Sequence, residues 1–216
     1  MKILYAIKNA FSAYKNAFDI SKPSEELFKN FTNSLDKELV KYDIVYDYIC
    51  GSDSVNIDGV SKGYYLKEKD VVLMDISVYH EGIWHDVTRT YFVGSYDKEQ
   101  ERVYNLIKRS LRAGEGALKH GAKARDIYNA VNGEFEKEGK TLVHHAGHLI
   151  AKEVISQPQF LPNATGEIKL GDIVAIESGL YEGFGIRLEN NYLVNENGAE
   201  DLFENLMPLN IEDYVL

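Results

Sequence analysis

Two stretches of the chain repeat one arrangement of acidic residues. In each copy, one acid follows a leading Asp by five residues, and a second acid follows a Gly-Ile pair by four residues. The four recurring acids are Asp75, Asp86, Glu177 and Glu189. Clustered carboxylates repel one another and keep their charge only when cations lie among them. The repeat therefore predicts a metal centre to which two halves of the chain contribute.

The first pair of acids lies in a predicted β-hairpin. Asp75 and Asp86 are eleven residues apart. A loop centred between His80 and Glu81 would place the two acids directly opposite each other, with Cβ atoms roughly 4.5–5.5 Å apart. His85 should then point to the other face of the sheet, because successive side chains of a strand alternate. We therefore do not expect His85 to be a ligand.

A second predicted hairpin carries the other pair. Glu177 and Glu189 are twelve residues apart, and a loop centred on Gly183 makes them opposite partners. Glycine permits such a turn. Opposed carboxylates can hold one metal ion and bridge to a second ion roughly 3.5–4 Å away. The spacing therefore predicts a site with room for two ions.

Histidines between the two hairpins would complete the ligand set. His144, His145 and His148 lie there, and four acids with one imidazole suit Mn²⁺, Co²⁺, Fe²⁺ or Zn²⁺. The sequence does not choose among these ions. Of the neighbouring pair, His144 and His145, we expect one to line the cleft or support a ligand and the other to be structural. His80 and His120 are expected at the surface.

The elements that must position these residues follow from hydrophobic periodicity and turn residues. The pattern predicts helices at about 2–18 and from about 21 to 39, a strand at 44–49, a polar loop at 51–63 and a hairpin at 71–78 and 83–93. It then predicts helices from Asp97, with a capping box, to near Gly121 and from Ala124 to Gly139, a short strand at about 141–145 and a hairpin at 172–194. This order, helix-helix-strand-hairpin twice over, predicts an α+β fold with helices on one face of a curved antiparallel sheet.

Composition narrows the class of protein. The 216 residues, 44% of them hydrophobic, suffice for a single domain, with pseudo-repeat halves at about 1–95 and 96–216. The net charge of −10 argues against nucleic acid and anionic membranes as partners. Cys50 is the only cysteine, so the chain has no intrachain disulfide, and a reducing, cytoplasmic location is expected. The apolar start is too short for a signal peptide or a membrane span.

Several motifs resemble those of the pita-bread metallopeptidases. They are Met74-Asp75 with Gly82, Asp86-Val-Thr-Arg-Thr90 with Val93-Gly94, His144 with Gly147-His148, Ile176-Glu177-Ser-Gly-Leu-Tyr181, and Gly185-Ile-Arg-Leu-Glu189. The family comprises methionine aminopeptidases, Xaa-Pro aminopeptidases and prolidases, with creatinase as a relative. The sequences of the last two motifs resemble the Xaa-Pro branch more than the methionine aminopeptidases. The resemblance covers nearly the whole chain and implies the pita-bread fold, with the catalytic domain only.

The resemblance also implies a ligand set and a reaction. The ligands of two divalent ions, Mn²⁺ first among them, would be Asp75, Asp86, His148, Glu177 and Glu189, with Asp86 and Glu189 bridging. Glu177 would also be the general acid/base. The implied reaction is attack of a metal-activated water on the N-terminal peptide bond of a peptide substrate, with the metals stabilising the oxyanion.

The chain departs from the family pattern at two positions. Two histidines are usual there, and this chain has Asp58 and Ile155 instead. Asp58 and His144 are then the candidate substrate-binding residues. Two functions follow from this: an exopeptidase with an altered pocket, or a metal-binding protein that binds a peptide or partner without efficient cleavage. A creatinase-like reaction is weaker, because creatinase is not metal-dependent. Homodimers are common in the Xaa-Pro branch.

Overall fold

The helices and strands follow the predicted order closely. The computed structural model describes residues 2–35 and 44–216. Its α-helices are α1 (Lys2–Asn16), α2 (Ser24–Ser34), α3 (Lys98–Ala117) and α4 (Ala124–Glu136). Its strands are β1 (Val45–Cys50), β2 (Val71–His80), β3 (Ile83–Phe92), β4 (Gly147–Ile150), β5 (Ser156–Gln159), β6 (Ile173–Tyr181), β7 (Gly185–Asn195) and β8 (Gly198–Asp201). Short 3₁₀ helices span Gly51–Val55 and Ile211–Tyr214.

All the described strands belong to one antiparallel sheet. Its order is β1-β2-β3-β7-β6-β4-β5, and β8 pairs with β7. The two predicted hairpins are β2-β3 and β6-β7, and they meet where β3 pairs with β7. The two halves of the sequence repeat therefore join at the centre of the sheet. The extent of the domain and of its halves stays a prediction.

The described helices pack on one face of this sheet, as predicted. From α1, the Tyr14 hydroxyl hydrogen-bonds that of Tyr48 on β1 at 2.9 Å. In the second half, α3 runs so close to β6 that a Cβ on Gly114 would lie 3.0 Å from Ile176. Tyr48 and Ile176 neighbour Asp47 and Glu177, so their side chains point away from those acids. The acids therefore occupy the face that these helices leave free.

Local signals explain where the helices begin and end. The side chain of Asp97 accepts hydrogen bonds from the backbone of Glu99 and Gln100, and Gln100 reciprocates, which confirms the predicted capping box. Helix α3 ends at Ala117, before the predicted Gly121. The predicted end of α2 near 39 lies outside the described residues. No described helix is long and apolar enough to cross a membrane.

The predicted strand at about 141–145 is wrong. That segment is irregular, and the strand β4 begins only at Gly147. The backbone N–H of Leu142 donates instead to the side chain of Asn132 on α4 at 2.8 Å. The backbone of this segment is thus bound to the helix rather than paired in the sheet.

Candidate metal centre

The site is built on one row of paired positions that crosses five neighbouring strands. Asp47 on β1 pairs with Asp75 on β2, and Asp75 pairs with Thr88 on β3. Thr88 pairs with Glu189 on β7, which in turn pairs with Glu177 on β6. Directly paired residues place their side chains on the same face of a sheet. The row therefore collects four carboxylates from both halves of the chain.

The two hairpins differ in register. Glu177 and Glu189 are direct partners, as predicted. The prediction that Asp75 and Asp86 face each other directly is wrong, because Asp75 lies opposite Thr88. The turn of this hairpin is Glu81-Gly82 rather than His80-Glu81, and moving the turn by one residue shifts every cross-strand partner by two. Asp86 thus shares the face of Asp75 but lies diagonal to it.

Hydroxyl groups of the same sheet face orient two of the acids. Ser77, directly opposite Asp86, donates to Asp86 Oδ1 at 2.8 Å. Thr88 donates to Glu189 Oε2 at 2.9 Å. Each bond occupies one oxygen of its carboxylate. The other oxygen of each acid is left to face the centre of the site.

His148 joins these acids in a cluster suited to a metal ion. Its Nε2 atom lies 3.5 Å from Asp86 Oδ2 and 3.8 Å from Glu189 Oε1. One ligand atom from each of the three residues lies within 4.8 Å of the others, and all three residues are buried. His148 Nδ1 lies 3.2 Å from the carbonyl of Leu149. A proton on Nδ1 leaves the lone pair of Nε2 directed at the acids, which is the tautomer a metal ligand needs.

A close backbone approach positions His148. Gly147 has φ +133°, and a Cβ at this position would lie 2.1 Å from the carbonyl oxygen of Ala175. Ala175 is the direct partner of His148 on the adjacent strand. Glycine before the histidine therefore lets β4 pair with β6 close to the acid row.

Asp75 is held by an arginine from the second hairpin. Arg187 Nη2 lies 2.6 Å from Asp75 Oδ2 and 3.1 Å from Asp47 Oδ2. The same guanidinium donates to the carbonyl of Ile57 and to the hydroxyl of Tyr181. Burial raises the pKa of Asp75, and Asp86 and Glu177 raise it further, although Arg187 opposes the rise. The cation thus offsets part of the cost of gathering these carboxylates.

Two imidazoles face Glu177. His145 Nδ1 lies 2.8 Å from Glu177 Oε1, and His144 Nδ1 lies 3.5 Å from Oε2. Burial alone would raise the pKa of Glu177, but the two histidines and Arg187 outweigh it and hold this pKa well below its usual range. Burial lowers the pKa of His144. Glu177 therefore stays ionised beside neutral or charged imidazoles.

The residues present fit a divalent cation. Glu189 Oε1 is buried and has no hydrogen-bond partner among the described residues. Burial raises the pKa of Glu189 well above its ordinary value, and the charges of Asp86, Glu177 and Asp75 add to the rise. A cation among these oxygens would remove that repulsion and satisfy the orphaned atom. Buried carboxylates with one imidazole form a donor set that such ions accept.

Other predicted residues lie apart from this cluster. Asp58 is exposed in the loop after β1, where the neighbouring carbonyl of Ile57 accepts from Arg187. Ile155 is exposed, and no described contact brings it to the acids. His120 is exposed, as predicted, whereas His80 is partly buried at the hairpin tip. The roles of Asp58 and His144 as substrate contacts stay predictions.

Two members of the site escaped the sequence reasoning. Arg187 was visible within the motif Gly185-Ile-Arg-Leu-Glu189, but it received no role. Its spacing of two residues from Glu189 places both side chains on one face of β7, which is a signal for proximity. Asp47 carried no such signal. Its place opposite Asp75 depends on the pairing of β1 with β2, and that register was not predicted.

Comparison with known proteins agrees with this geometry. Residues 8–196 match the model of metallopeptidase family M24. An uncharacterized peptidase of Methanocaldococcus jannaschii is 32% identical over 231 aligned residues, which cover 96% of this chain and 64% of that protein. A Xaa-Pro dipeptidase of Pyrococcus furiosus is 28% identical over 149 residues, covering 67% of this chain and 42% of that protein. The chain thus spans less than two thirds of the length of these relatives.

Solved structures share the fold. The prolidase of Pyrococcus horikoshii superposes with a TM-score of 0.85 at 21% identity, over 93% of this chain and 59% of that one. The X-Pro aminopeptidase of Thermotoga maritima gives a TM-score of 0.88 at 21% identity, over 100% of this chain and 62% of that one. The predicted α+β pita-bread fold is confirmed.

Proposed function

This chain belongs to metallopeptidase family M24, and from that premise we propose that it is a dinuclear-metal-dependent exopeptidase of the Xaa-Pro aminopeptidase or dipeptidase type. The observation that carries the proposal is the buried cluster of Asp86, His148 and Glu189 within the row of acids. An open carboxylate-imidazole site is suited to hydrolysis rather than to a structural role.

Each of the two hairpins supplies two of the proposed carboxylate ligands. Asp86 and Glu189, nearest to His148, would bridge two ions, with Asp75 and Glu177 as the outer ligands. Mn²⁺ suits this oxygen-rich set best, and Co²⁺, Fe²⁺ or Zn²⁺ also suit it. When bound, two such ions supply an activated water and an electrophilic contact for the carbonyl oxygen.

The remaining roles concern protons and substrate. Glu177, ionised between two imidazoles, would accept and return the proton of the attacking water. His144, whose Nε2 lies 3.4 Å from the Tyr181 hydroxyl, would contact the peptide. The exposed carboxylate of Asp58 would bind the α-ammonium group of the substrate.

Peptide cleavage by the reconstituted protein tests this proposal. The Mn²⁺-loaded protein would be offered Xaa-Pro dipeptides, longer Xaa-Pro-led peptides and Met-led peptides, with released N-terminal residues read by mass spectrometry. We expect release that stops with EDTA and in Glu177→Gln, and that persists in His120→Leu, a control at an exposed site. Release that survives Glu177→Gln would rule out the proposed proton transfer.

A second function is favoured by one specific observation. The positions where the family usually has histidines hold Asp58 and Ile155, and the isoleucine side chain cannot donate a hydrogen bond. Loss of such a group typically lowers a rate roughly 10²–10⁴-fold. The alternative is a metal-binding, catalytically degenerate member that binds a peptide or partner. Metal-loaded protein that binds these peptides without releasing a residue would favour it.

A peptide is the expected substrate, and neither nucleic acid nor a membrane is an expected partner. A homodimer is proposed, and light scattering of the purified protein measures it directly. The cytoplasmic location rests on the single cysteine of the sequence.

A further inference from the structure

The three histidines of the segment 144–148 differ in how far they reach solvent. The side chain of His148 is 2% exposed and that of His144 is 8% exposed. The side chain of His145 is 21% exposed. His145 is thus the imidazole of this segment that both meets solvent and touches a carboxylate of the site.

His145 makes the closest contact that the structure gives to the carboxylate of Glu177. The 2.8 Å between Nδ1 and Oε1 is the length of a charge-assisted hydrogen bond. Nδ1 nevertheless has no aligned hydrogen-bond partner among the described residues. Hydrogen bonds in an active site are often poorly aligned before the site is loaded. The pair is therefore placed to form a bond but does not complete it.

His144 does not compete for this role. Its Nδ1 lies 2.6 Å from the carbonyl oxygen of His145, a bond that occupies the proton of this nitrogen. Its Nε2 faces the hydroxyl of Tyr181 at 3.4 Å. The contact of His144 Nδ1 with Glu177 is longer, at 3.5 Å. Orientation of the Glu177 carboxylate therefore falls to His145.

We propose that His145 is a positioning residue that holds the carboxylate of Glu177 toward the metal ions. This inference rests on the proposed function, and it names an imidazole that the motifs of the sequence do not include. With Asp58 and Ile155 lacking an imidazole, His145 supplies one to the site from a different strand end. Partners that orient a metal ligand typically change metal affinity or activity about 10–100-fold when they are removed.

A double-mutant cycle in the metal-free protein tests the contact itself. Unfolding by urea in EDTA would be measured for the wild type, His145→Leu, Glu177→Gln and the double variant. We expect clearly non-additive effects, because residues in contact share an interaction free energy. Additive effects would overturn the proposal, whether or not the protein binds metal.

Metal binding and kinetics test the consequence. We expect His145→Leu to weaken Mn²⁺ binding in calorimetry about 10–100-fold, and to lower kcat more than it changes KM. His145→Asn should restore most of both, because its amide nitrogen can donate from nearly the same place as Nδ1. Equal losses in the Leu and Asn variants, or none in either, would contradict positioning through a hydrogen bond.

Failure of the proposed function looks different from failure of this inference. His120→Leu, at an exposed histidine, serves as the matched control and should leave Mn²⁺ affinity unchanged. A wild type that neither binds Mn²⁺ nor cleaves peptides would contradict the proposed function. The double-mutant cycle in the metal-free protein would still decide whether His145 positions Glu177. A wild type that binds and cleaves, with His145→Leu indistinguishable from it, would sink only the inference.

Discussion

The two hairpins carry the same motif but present their acids differently. In β6-β7, Glu177 and Glu189 face each other directly across a three-residue turn at residues 182–184. In β2-β3, the turn has two residues, and Asp75 and Asp86 are diagonal. The difference comes from the position of the turn, which begins six residues after Asp75 and ends four residues before Asp86 but lies five residues from both Glu177 and Glu189. Equal motifs therefore do not produce equal geometry.

The offset in the first hairpin has a consequence for charge. Glu189 faces Glu177 directly, the charges of Asp86, Glu177 and Asp75 raise the pKa of its carboxyl group, and its Oε1 atom has no hydrogen-bond partner among the described residues. Asp75, displaced from Asp86, instead contacts Arg187 at 2.6 Å. The second hairpin thus carries the less compensated carboxylate, Glu189, and also supplies the cation, Arg187, that contacts Asp75 of the first. We infer that metal ions stabilise the second hairpin more than the first.

Removing one acid from each hairpin tests this asymmetry most directly. We expect Glu189→Gln to lower kcat/KM about 10³-fold or more, because this residue would contact both ions. Asp75→Asn should cost less, because it would remove a ligand from one ion only. If the proposed two-ion site is right, bound Mn²⁺ measured by atomic emission should fall from two ions per chain to fewer than one in Glu189→Gln and to about one in Asp75→Asn.

The matched pair is informative because each change keeps the shape of its side chain. A larger loss in Asp75→Asn than in Glu189→Gln would reverse the assignment of bridging and outer ligands. Circular dichroism of both variants would exclude unfolding as the cause of either loss.

Much of this arrangement was predictable from local signals in the sequence. The order of helices and strands follows from periodicity, and the pairing of Glu177 with Glu189 follows from the glycine at 183. The capping box at Asp97 fixed the start of α3. Such features depend on neighbours in the chain, which the sequence displays directly.

The predictions were wrong or incomplete where the structure depends on the exact position of a turn or on contacts between residues far apart in the sequence. A turn misplaced by a single residue moved the partner of Asp75 from Thr88 to Asp86 in the prediction. The strand expected at 141–145 does not form, because the backbone N–H of Leu142 donates to the side chain of Asn132 on α4. Asp47 joined the site through a strand pairing that no motif marks. Contacts between distant parts of the chain decide these points.

Arg187 of the second hairpin contacts Asp75 of the first, and a substitution can remove this cation. In Arg187→Met, Asp75 and Asp47 lose a buried partner, which typically costs about 3–5 kcal/mol. We expect this loss of unfolding free energy in EDTA and a smaller loss with saturating Mn²⁺, because an ion beside Asp75 replaces the missing charge. Urea unfolding under both conditions measures the difference. An equal loss with and without Mn²⁺ would show that the arginine and the ions act independently.

The residue before Asp86 and the residue before Glu189 also differ in kind. Leu188 precedes Glu189 and is buried, whereas His85 precedes Asp86. Burial and the charge of His80 lower the pKa of His85 to about 4. Because folding lowers the pKa of His85, the unfolding free energy keeps its full value above the unfolded-state pKa of roughly 6.5. Part of it is lost as the pH falls from there toward 4.

His85→Leu makes the first hairpin resemble the second and should remove this acid sensitivity. We expect the advantage of the variant over the wild type to grow by up to about 1.4 kcal/mol for each pH unit between roughly 6.5 and 4. Unfolding free energies in EDTA at several pH values measure this slope. His120→Leu should leave the slope of the wild type unchanged, and a parallel pH profile in His85→Leu would show that His85 titrates normally.

The turns themselves offer the smallest test. The left-handed conformation falls on Gly183 in the second hairpin, but on Glu81 (φ 49°) as well as Gly82 in the first. Asparagine tolerates this conformation better than glutamate, and Asn-Gly is the preferred pair for a two-residue turn of this kind. We expect Glu81→Asn to raise the unfolding free energy by about 0.5–1 kcal/mol. Glu182→Asn, at a position outside the left-handed region, should bring no gain. Equal effects of the two changes would mean that turn strain does not distinguish the hairpins.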